Sequence, residues 1–152
     1  MADLSYRNAT PDDLAFIVRL IVGDSVGTSA DDPRDVQAPA YTDALAAIDA
    51  DPNQMLLIAE LSGEPVGTFQ LTFIPGIVAR GMWRGLIESV HVAPEFRNQG
   101  IGGRMMEHAV SLCRQKGCGL VQLTSNKARS DAHRFYGRLG FTPSHEGFKL
   151  TL

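Results

Sequence analysis

Cysteine and long apolar segments are both scarce in this sequence. Its 152 residues include two cysteines, Cys113 and Cys118, without the CxxC spacing or the histidine cluster of a zinc site. We therefore expect two buried thiols, no disulfide framework and no metal. No stretch approaches the ~18 apolar residues that a membrane span needs, and acidic residues stand near the start, where a secretory leader has basic and apolar ones. We expect a cytoplasmic protein without a membrane partner.

Basic residues are scarce in the first half of the chain. Residues 1–76 carry three bases against twelve acids, a net charge of −9, whereas residues 77–152 carry eleven bases against five acids, a net charge of +6. The total charge is −3, and the arginines have no interleaved aromatic platform, which argues against a nucleic-acid partner. The split indicates that the two halves meet ligands of different charge.

Hydrophobic residues make up 44% of the chain, enough for one buried core. No repeat or long linker divides the sequence, so we expect a single domain over residues 1–152. The apolar patterns predict the order β-α-α-β-β-β-α-β-α-β-β. This order favours an α/β (α+β) fold, in which helices flank a mixed, mostly antiparallel twisted sheet.

Turn and capping residues set the bounds of the predicted elements. The predicted strands are residues 4–8, 55–61, 66–73, 86–92, 120–124, 141–143 and 148–152. The predicted helices begin at Thr10-Pro11 and, further on, cover about 41–50, 102–116 and 131–139. Residues 74–84 are expected to be a loop. Strict alternation along the strand at 86–92 places Glu88, Val90 and Val92 on one face and His91 on the other.

A glycine-rich turn follows the strand at 86–92. Glycines at positions 100, 102 and 103 let the backbone approach a ligand closely and let its N–H groups converge. The helix that starts there adds its positive dipole end, and Arg97 and Arg104 add full charges. The turn therefore predicts a phosphate site. It has neither the Gly-Lys-Ser/Thr of a Walker A loop nor a GxGxxG dinucleotide fingerprint.

The spacing Arg97-x-x-Gly100-x-Gly102 resembles the coenzyme A loop of the GCN5-related N-acetyltransferase (GNAT) family. Residues 132–141, AHRFYGRLGF, are similar to that family's A-x-x-F-Y-x-x-L-G-F block, and Val66-Gly67 matches its V-G pair. The resemblance covers most of residues 4–152. It implies a single GNAT domain that transfers an acetyl group from acetyl-CoA to a primary amine of a small molecule or peptide.

The resemblance also implies roles for individual residues. Tyr136 matches the family's general acid for the departing thiolate, and the backbone N–H of Val92 matches its oxyanion donor. The exposed backbone of Val90 and Val92 is expected to pair with the pantetheine arm. The pyrophosphate is expected on the loop residues Arg97, Asn98, Gln99, Gly100, Ile101, Gly102 and Gly103.

The base and one cofactor contact stay open at this point. Glu88 is the candidate base, because a carboxylate in apolar surroundings can have a raised pKa. An ion pair between Glu88 and Arg84 or another arginine has equal weight, and many family members withdraw the amine proton through water instead. His91 is interpreted as structural. Many family members have asparagine where this chain has Arg129, so either Asn126 or Arg129 is expected to contact coenzyme A.

The sequence does not identify the acceptor. An acidic stretch has two interpretations: it attracts a cationic amine substrate, or it is only a solvated polar loop. Its members are Asp24, Asp31, Asp32 and Asp35. Arg80 and Arg84 instead suit a substrate carboxylate or phosphonate. The alternative function is an acyl-CoA-binding regulatory or sensor module without turnover. Homodimers are common in the family, and residues 148–152 are a candidate interface strand.

Overall fold

The structure, a computed structural model, describes residues 3–152. They fall into two compact units, one ending at Gln122 and the other spanning Leu123–Leu152. The strands are β1 (Leu4–Asn8), β2 (Gln54–Leu61), β3 (Glu64–Ile74), β4 (Arg84–Val92) and β5 (Leu120–Leu123). The helices are α1 (Leu14–Asp24), α2 (Pro39–Ala50), α3 (Val78–Gly81), α4 (Ile101–Lys116) and α5 (Ser130–Arg138).

The five strands form one sheet in the order β1-β2-β3-β4-β5. The first three neighbouring pairs are antiparallel. Helix α4 connects β4 to β5, a connection typical of a parallel pair, so the sheet is mixed. The predicted fold class is confirmed. Within residues 3–152, no helix combines the length and apolar character required to cross a membrane.

Hydrophobic residues cover both faces of the sheet. On one side, which we call the α4 face, Phe69 and Leu71 of β3 are buried where α4 packs on β3 and β4. On the opposite side, the α1 face, Ile58 of β2 belongs to a buried cluster with Leu14 of α1 and Leu45 of α2. The alternation of β3 then assigns Thr68, Gln70 and Thr72 to the α1 face, since Thr68 lies opposite Ile58.

A β-bulge interrupts the pairing of β3 with β4. Glu88 lies opposite Gln70, but His91 lies opposite Thr68. Ser89 and Val90 therefore both lie opposite the single residue Phe69, and two residues opposite one is the arrangement of a β-bulge. An extra residue in one strand shifts the alternation of everything that follows it.

The bulge changes which side chains share a face. Glu88 and His91 both lie on the α1 face, whereas Val92, opposite Gly67, lies on the α4 face. The prediction that Glu88 and Val92 share a face, with His91 on the other, is therefore wrong. Ser89 accommodates the irregularity with a φ of 50°.

Two other predictions need correction. No strand follows β5 within the described residues, so the predicted closing strands at 141–143 and 148–152 are wrong. Pro143 has no N–H to donate, and Phe148 and Leu150 are 93% and 87% exposed, so these residues gain no burial that would favour a strand. The loop predicted at 74–84 contains α3, whose Ala79 and Arg80 are left-handed.

Candidate functional site

The turn between β4 and α4 has the shape of an anion site. Asn98 and Gly100 adopt φ values of 61° and 77°, and such left-handed residues turn neighbouring N–H groups towards a common side. The N–H groups in the first turn of α4 have no acceptor within the helix. A β-carbon built on Gly100 or Gly103 would meet nothing within 4 Å, so the space above the turn is open. The residues present therefore fit the predicted phosphate group.

The backbone edge of β4 at Val90 and Val92 extends past the end of the short strand β5. Gly119 donates its N–H to the carbonyl of Trp83 over 2.9 Å, so the four-residue β5 begins level with the start of β4. Ala93 donates to the carbonyl of Val66 over 2.8 Å. Because successive N–H groups of a strand point to opposite sides, the N–H of Val92 points away from β3. This edge includes the predicted pantetheine-binding residues Val90 and Val92.

Arg97 takes part in a network inside the first unit. Its Nη2 donates to Oδ1 of Asp24 over 2.7 Å, and its Nε donates to the carbonyl of Val92 over 3.1 Å. The Nδ1 of His91 lies 2.6 Å from Oδ2 of Asp24, and these two side chains are 11% and 13% exposed. The network joins the end of α1 to β4 and to the anion turn. The predicted contact between Arg97 and coenzyme A stays a prediction.

Glu88 lies exposed on the α1 face, opposite Gln70. The apolar surroundings expected for it are therefore absent. Among residues 3–152 its carboxylate has no hydrogen bond or ion pair, so the alternative of a pair with Arg84 is not observed. Its role as a base stays a prediction.

A polar group beside Glu88 was missed by the sequence analysis. On the α1 face, Nε2 of Gln70 and Oγ1 of Thr72 both donate to Oε1 of Gln54, over 3.1 and 2.9 Å. The signal was present in β3, where polar residues at alternate positions interrupt an otherwise apolar strand. The three side chains make this part of the α1 face hydrophilic.

Three of the four aspartates in the predicted acidic stretch contact other protein groups. Asp24 belongs to the network above, and Asp31 accepts a hydrogen bond of 2.9 Å from the hydroxyl of Tyr41. Hydrogen bonds from the guanidinium and the backbone N–H of Arg34 lower the pKa of Asp32 to about 2. The pairing of Asp24 with Arg97 and of Asp32 with Arg34 reduces the negative charge left to attract an amine.

The second unit contains Tyr136, Asn126 and Arg129. Burial raises the pKa of the Tyr136 phenol, and the positive charge of Arg129 partly opposes this. The ring centroids of Phe135 and Phe141 lie 5.1 and 6.1 Å from that of Tyr136. The side chain of Asn126 accepts the N–H of Ala128 over 2.9 Å, and Arg129 precedes α5. The positions of Asn126 and Arg129 do not test whether either residue contacts coenzyme A, so both contacts stay predictions.

The cysteines and potential metal ligands are dispersed. Cys113 is buried but Cys118 only half-buried, so the expectation of two buried thiols holds for Cys113 alone. In the described part of the chain, no group of three or more His, Cys, Asp or Glu side chains is placed to hold a metal ion.

The mixed sheet, the open edge of β4 and the turn before α4 fit the class of the N-acetyltransferases. The chain belongs to the acetyltransferase (GNAT) family, whose profile matches residues 24–141. The resemblance found in the sequence is thereby confirmed.

Three comparisons illustrate the relationship. The aminoalkylphosphonate N-acetyltransferase of Salmonella typhimurium is 37% identical over 113 residues, which are 74% of this chain and 73% of that protein. A Bacillus halodurans crystal structure described as a transcriptional regulator is 37% identical, with a TM-score of 0.92 over 99% of this chain and 100% of that one. A Clostridium acetobutylicum predicted acetyltransferase, solved with acetyl-CoA, shares the fold at 20% identity and a TM-score of 0.68, covering 98% and 96% of the chains.

Proposed function

We propose that this protein acetylates a small primary amine that also carries an anionic group, such as an aminoalkylphosphonate. The observation that carries the proposal is the position of Arg84 and Glu88 on the same face of β4, opposite Ile74 and Gln70 of β3. The 37% identity to an aminoalkylphosphonate N-acetyltransferase supports the same class of acceptor.

The two charges suit the two ends of such an acceptor. The guanidinium of Arg84 has no acidic partner among residues 3–152, and a guanidinium binds phosphonate or carboxylate oxygens in a bidentate manner. The carboxylate of Glu88 attracts the ammonium group. Four residues along a strand span about 13 Å at Cα, so the long side chains of Arg84 and Glu88 would lean together to hold the two ends of a small zwitterion.

The chain's own groups would hold acetyl-CoA, which supplies the activated acetyl group as a thioester. The N–H groups of the anion turn would bind the pyrophosphate, and the free edge of β4 at Val90 and Val92 would pair with the pantetheine arm. The N–H of Val92, which points away from β3, would stabilise the oxyanion.

Proton transfer at the leaving group is assigned to Tyr136. This role rests on the resemblance of residues 132–141 to the family block. The raised pKa of the phenol supports it, because a general acid must still hold its proton at neutral pH. The assignment of Glu88 as the base, acting directly or through water, stays a prediction from the sequence.

A thiol-release assay with matched amines tests the proposal. We expect 2-aminoethylphosphonate to be acetylated with a kcat/KM at least tenfold above that of ethanolamine or a polyamine. Arg84→Gln should raise the KM for the phosphonate about tenfold or more and change the ethanolamine reaction little. Arg114→Gln is the matched control, because Arg114 is exposed on α4, on the other side of the sheet. A preference for polyamines, or equal effects of Arg84→Gln on both amines, would contradict the proposed acceptor.

The alternative of an acyl-CoA-binding regulatory module draws support from the relative described as a transcriptional regulator. That alternative predicts tight acetyl-CoA binding by calorimetry with no thiol release for any amine. Turnover with any member of the panel excludes it.

A further inference from the structure

The α1 face carries a histidine–carboxylate pair that the proposed function leaves unused. His91 and Asp24 are nearly buried and are joined by the 2.6 Å contact between Nδ1 and Oδ2. The bulge in β4 places His91 on the same face as Glu88, where the amine is expected. We propose that His91, oriented by Asp24, takes the proton from the acceptor amine. This inference rests on the proposed function.

The Asp24 carboxylate determines which ring nitrogen is basic. An ionised carboxylate only accepts hydrogen bonds, so Nδ1 of His91 carries the proton and donates it to Asp24. The lone pair then stays on Nε2, which is the form a general base requires. In catalytic triads, a buried carboxylate fixes the tautomer and the orientation of the imidazole in the same way.

Asp24 is itself fixed, which makes the orientation of His91 well defined. Its second oxygen accepts a hydrogen bond from Arg97, and Arg97 also donates to the carbonyl of Val92. Val92 follows His91 directly and carries the N–H assigned to the oxyanion. One network therefore positions both the proposed base and the backbone next to it.

Few charged groups face His91. Asp24 comes from α1, Arg97 from the turn before α4, and Glu88 from β4 itself, while its neighbour on β3 is the uncharged Thr68. Glu88 is exposed and held by no partner among residues 3–152, whereas His91 is held in one orientation. Because a base must be well positioned to be effective, the structure favours His91 for proton removal and leaves Glu88 to attract the ammonium group.

Acetyl transfer requires the acceptor nitrogen to lose two protons and the coenzyme A sulfur to gain one. The ammonium form of the acceptor gives one proton to Nε2 of His91, and the nitrogen lone pair attacks the thioester carbonyl carbon. The C–N bond forms and the C–S bond breaks, while the nitrogen loses its remaining excess proton. The thiolate leaves with a proton from Tyr136, the second proton lost by the nitrogen passes through water to the Tyr136 phenolate, and His91 releases its proton to water. The products are the N-acetyl amine, coenzyme A and one proton.

The variant His91→Asn tests the role kinetically, since its amide keeps a donor near Asp24 and lacks Nε2. We expect kcat to fall about 10²- to 10⁴-fold, with the KM for acetyl-CoA within about twofold of the wild-type value. The acidic limb of the kcat/KM profile should disappear, and added imidazole should restore part of the rate. Glu88→Gln should raise the KM for the amine and keep the acidic limb. Loss of that limb in Glu88→Gln and its retention in His91→Asn would overturn the inference.

Nitrogen-15 NMR of the imidazole ring gives a readout that needs no turnover. We expect the Nδ1–H tautomer for neutral His91 in the wild-type protein and a mixture of tautomers in Asp24→Asn. An Nε2–H tautomer in the wild type contradicts the proposed base. If the wild type is active and His91→Asn is unimpaired, the base assignment alone fails. If the wild type acetylates no amine, the proposed function fails with it.

Discussion

The guanidinium of Arg7 donates two hydrogen bonds, of 2.7 and 2.8 Å, to the carboxylate of Asp13. The same carboxylate accepts the backbone N–H of Thr10 over 2.7 Å, at the start of the turn that leads into α1. Asp13 is buried although it is charged. One side chain therefore caps the 3-10 turn that leads into α1 and ties this turn to β1.

We expect Asp13→Asn to lower the free energy of unfolding by about 1–2 kcal/mol at neutral pH, through the weakened cap and the lost ion pair. Arg7 lowers the pKa of Asp13 below its ordinary value of 3.8. A lowered pKa gives stability that is full above the unfolded-state pKa and is lost as the pH falls through the folded-state one. Denaturant unfolding should therefore show the two proteins converging below about pH 4. The variant Asp12→Asn, at an exposed neighbouring position, is the control and should change the free energy of unfolding at neutral pH by much less.

Gly67→Ala should destabilise the protein by about 1–3 kcal/mol. An added β-carbon would lie 2.7 Å from Sδ of Met105 and 2.9 Å from the carbonyl oxygen of His91, and a backbone atom in the sheet cannot move cheaply. Gly23→Ala in α1 is the matched control, because its β-carbon would meet nothing within 4 Å. Thermal unfolding should leave Gly23→Ala unchanged or slightly stabilised. Equal losses in both variants would contradict the packing argument.

The two thiols should react at very different rates. Burial and the neighbouring Cys118 raise the pKa of Cys113 to about 11, so only ~0.1% of it is thiolate at pH 8. In the native protein at pH 8, a thiol reagent should label one cysteine quickly and the second only after unfolding. Cys118→Ser should abolish the fast phase and Cys113→Ser should retain it. Two equal fast phases in the native protein would show that Cys113 is accessible.

Tyr136→Phe should lower kcat by about a hundredfold or more, because the departing thiolate loses its proton donor. A general acid acts only while protonated, so its activity is lost as the pH rises through its pKa. Since burial raises the pKa of Tyr136 above 10.0, the alkaline decline of kcat caused by Tyr136 in the wild type should have its midpoint above pH 10. Tyr41→Phe, which removes a hydroxyl bonded to Asp31, is the control. A rate in Tyr136→Phe equal to that of the control would remove the proposed role.

The parts of the molecule that could be predicted from the sequence depend on neighbouring residues along the chain. The α1 start follows from Thr10-Pro11, and the anion turn follows from the glycines at 100–103, which need no distant partner. The family block around Tyr136 is likewise contiguous. For such segments, local geometry and capping fix the conformation.

The errors arose where conformation depends on a distant partner. The bulge in β4 exists only in relation to Phe69 on β3, so alternation along β4 alone gave the wrong face for His91. The link between His91 and Asp24 joins residues 67 positions apart, and no local pattern indicates it. The closing strands were predicted from apolar residues such as Phe148 that the structure leaves exposed.

The bulge in β4 separates spacing along the chain from position on the sheet. Glu88 and His91 are three positions apart yet share the α1 face, so a deletion of one residue between them would restore simple alternation and leave the imidazole on that face, opposite Thr68. When such proteins are aligned or redesigned, a one-residue gap at this point therefore signifies the loss of the bulge, and a histidine two residues after Glu88 in a regular strand holds the equivalent place.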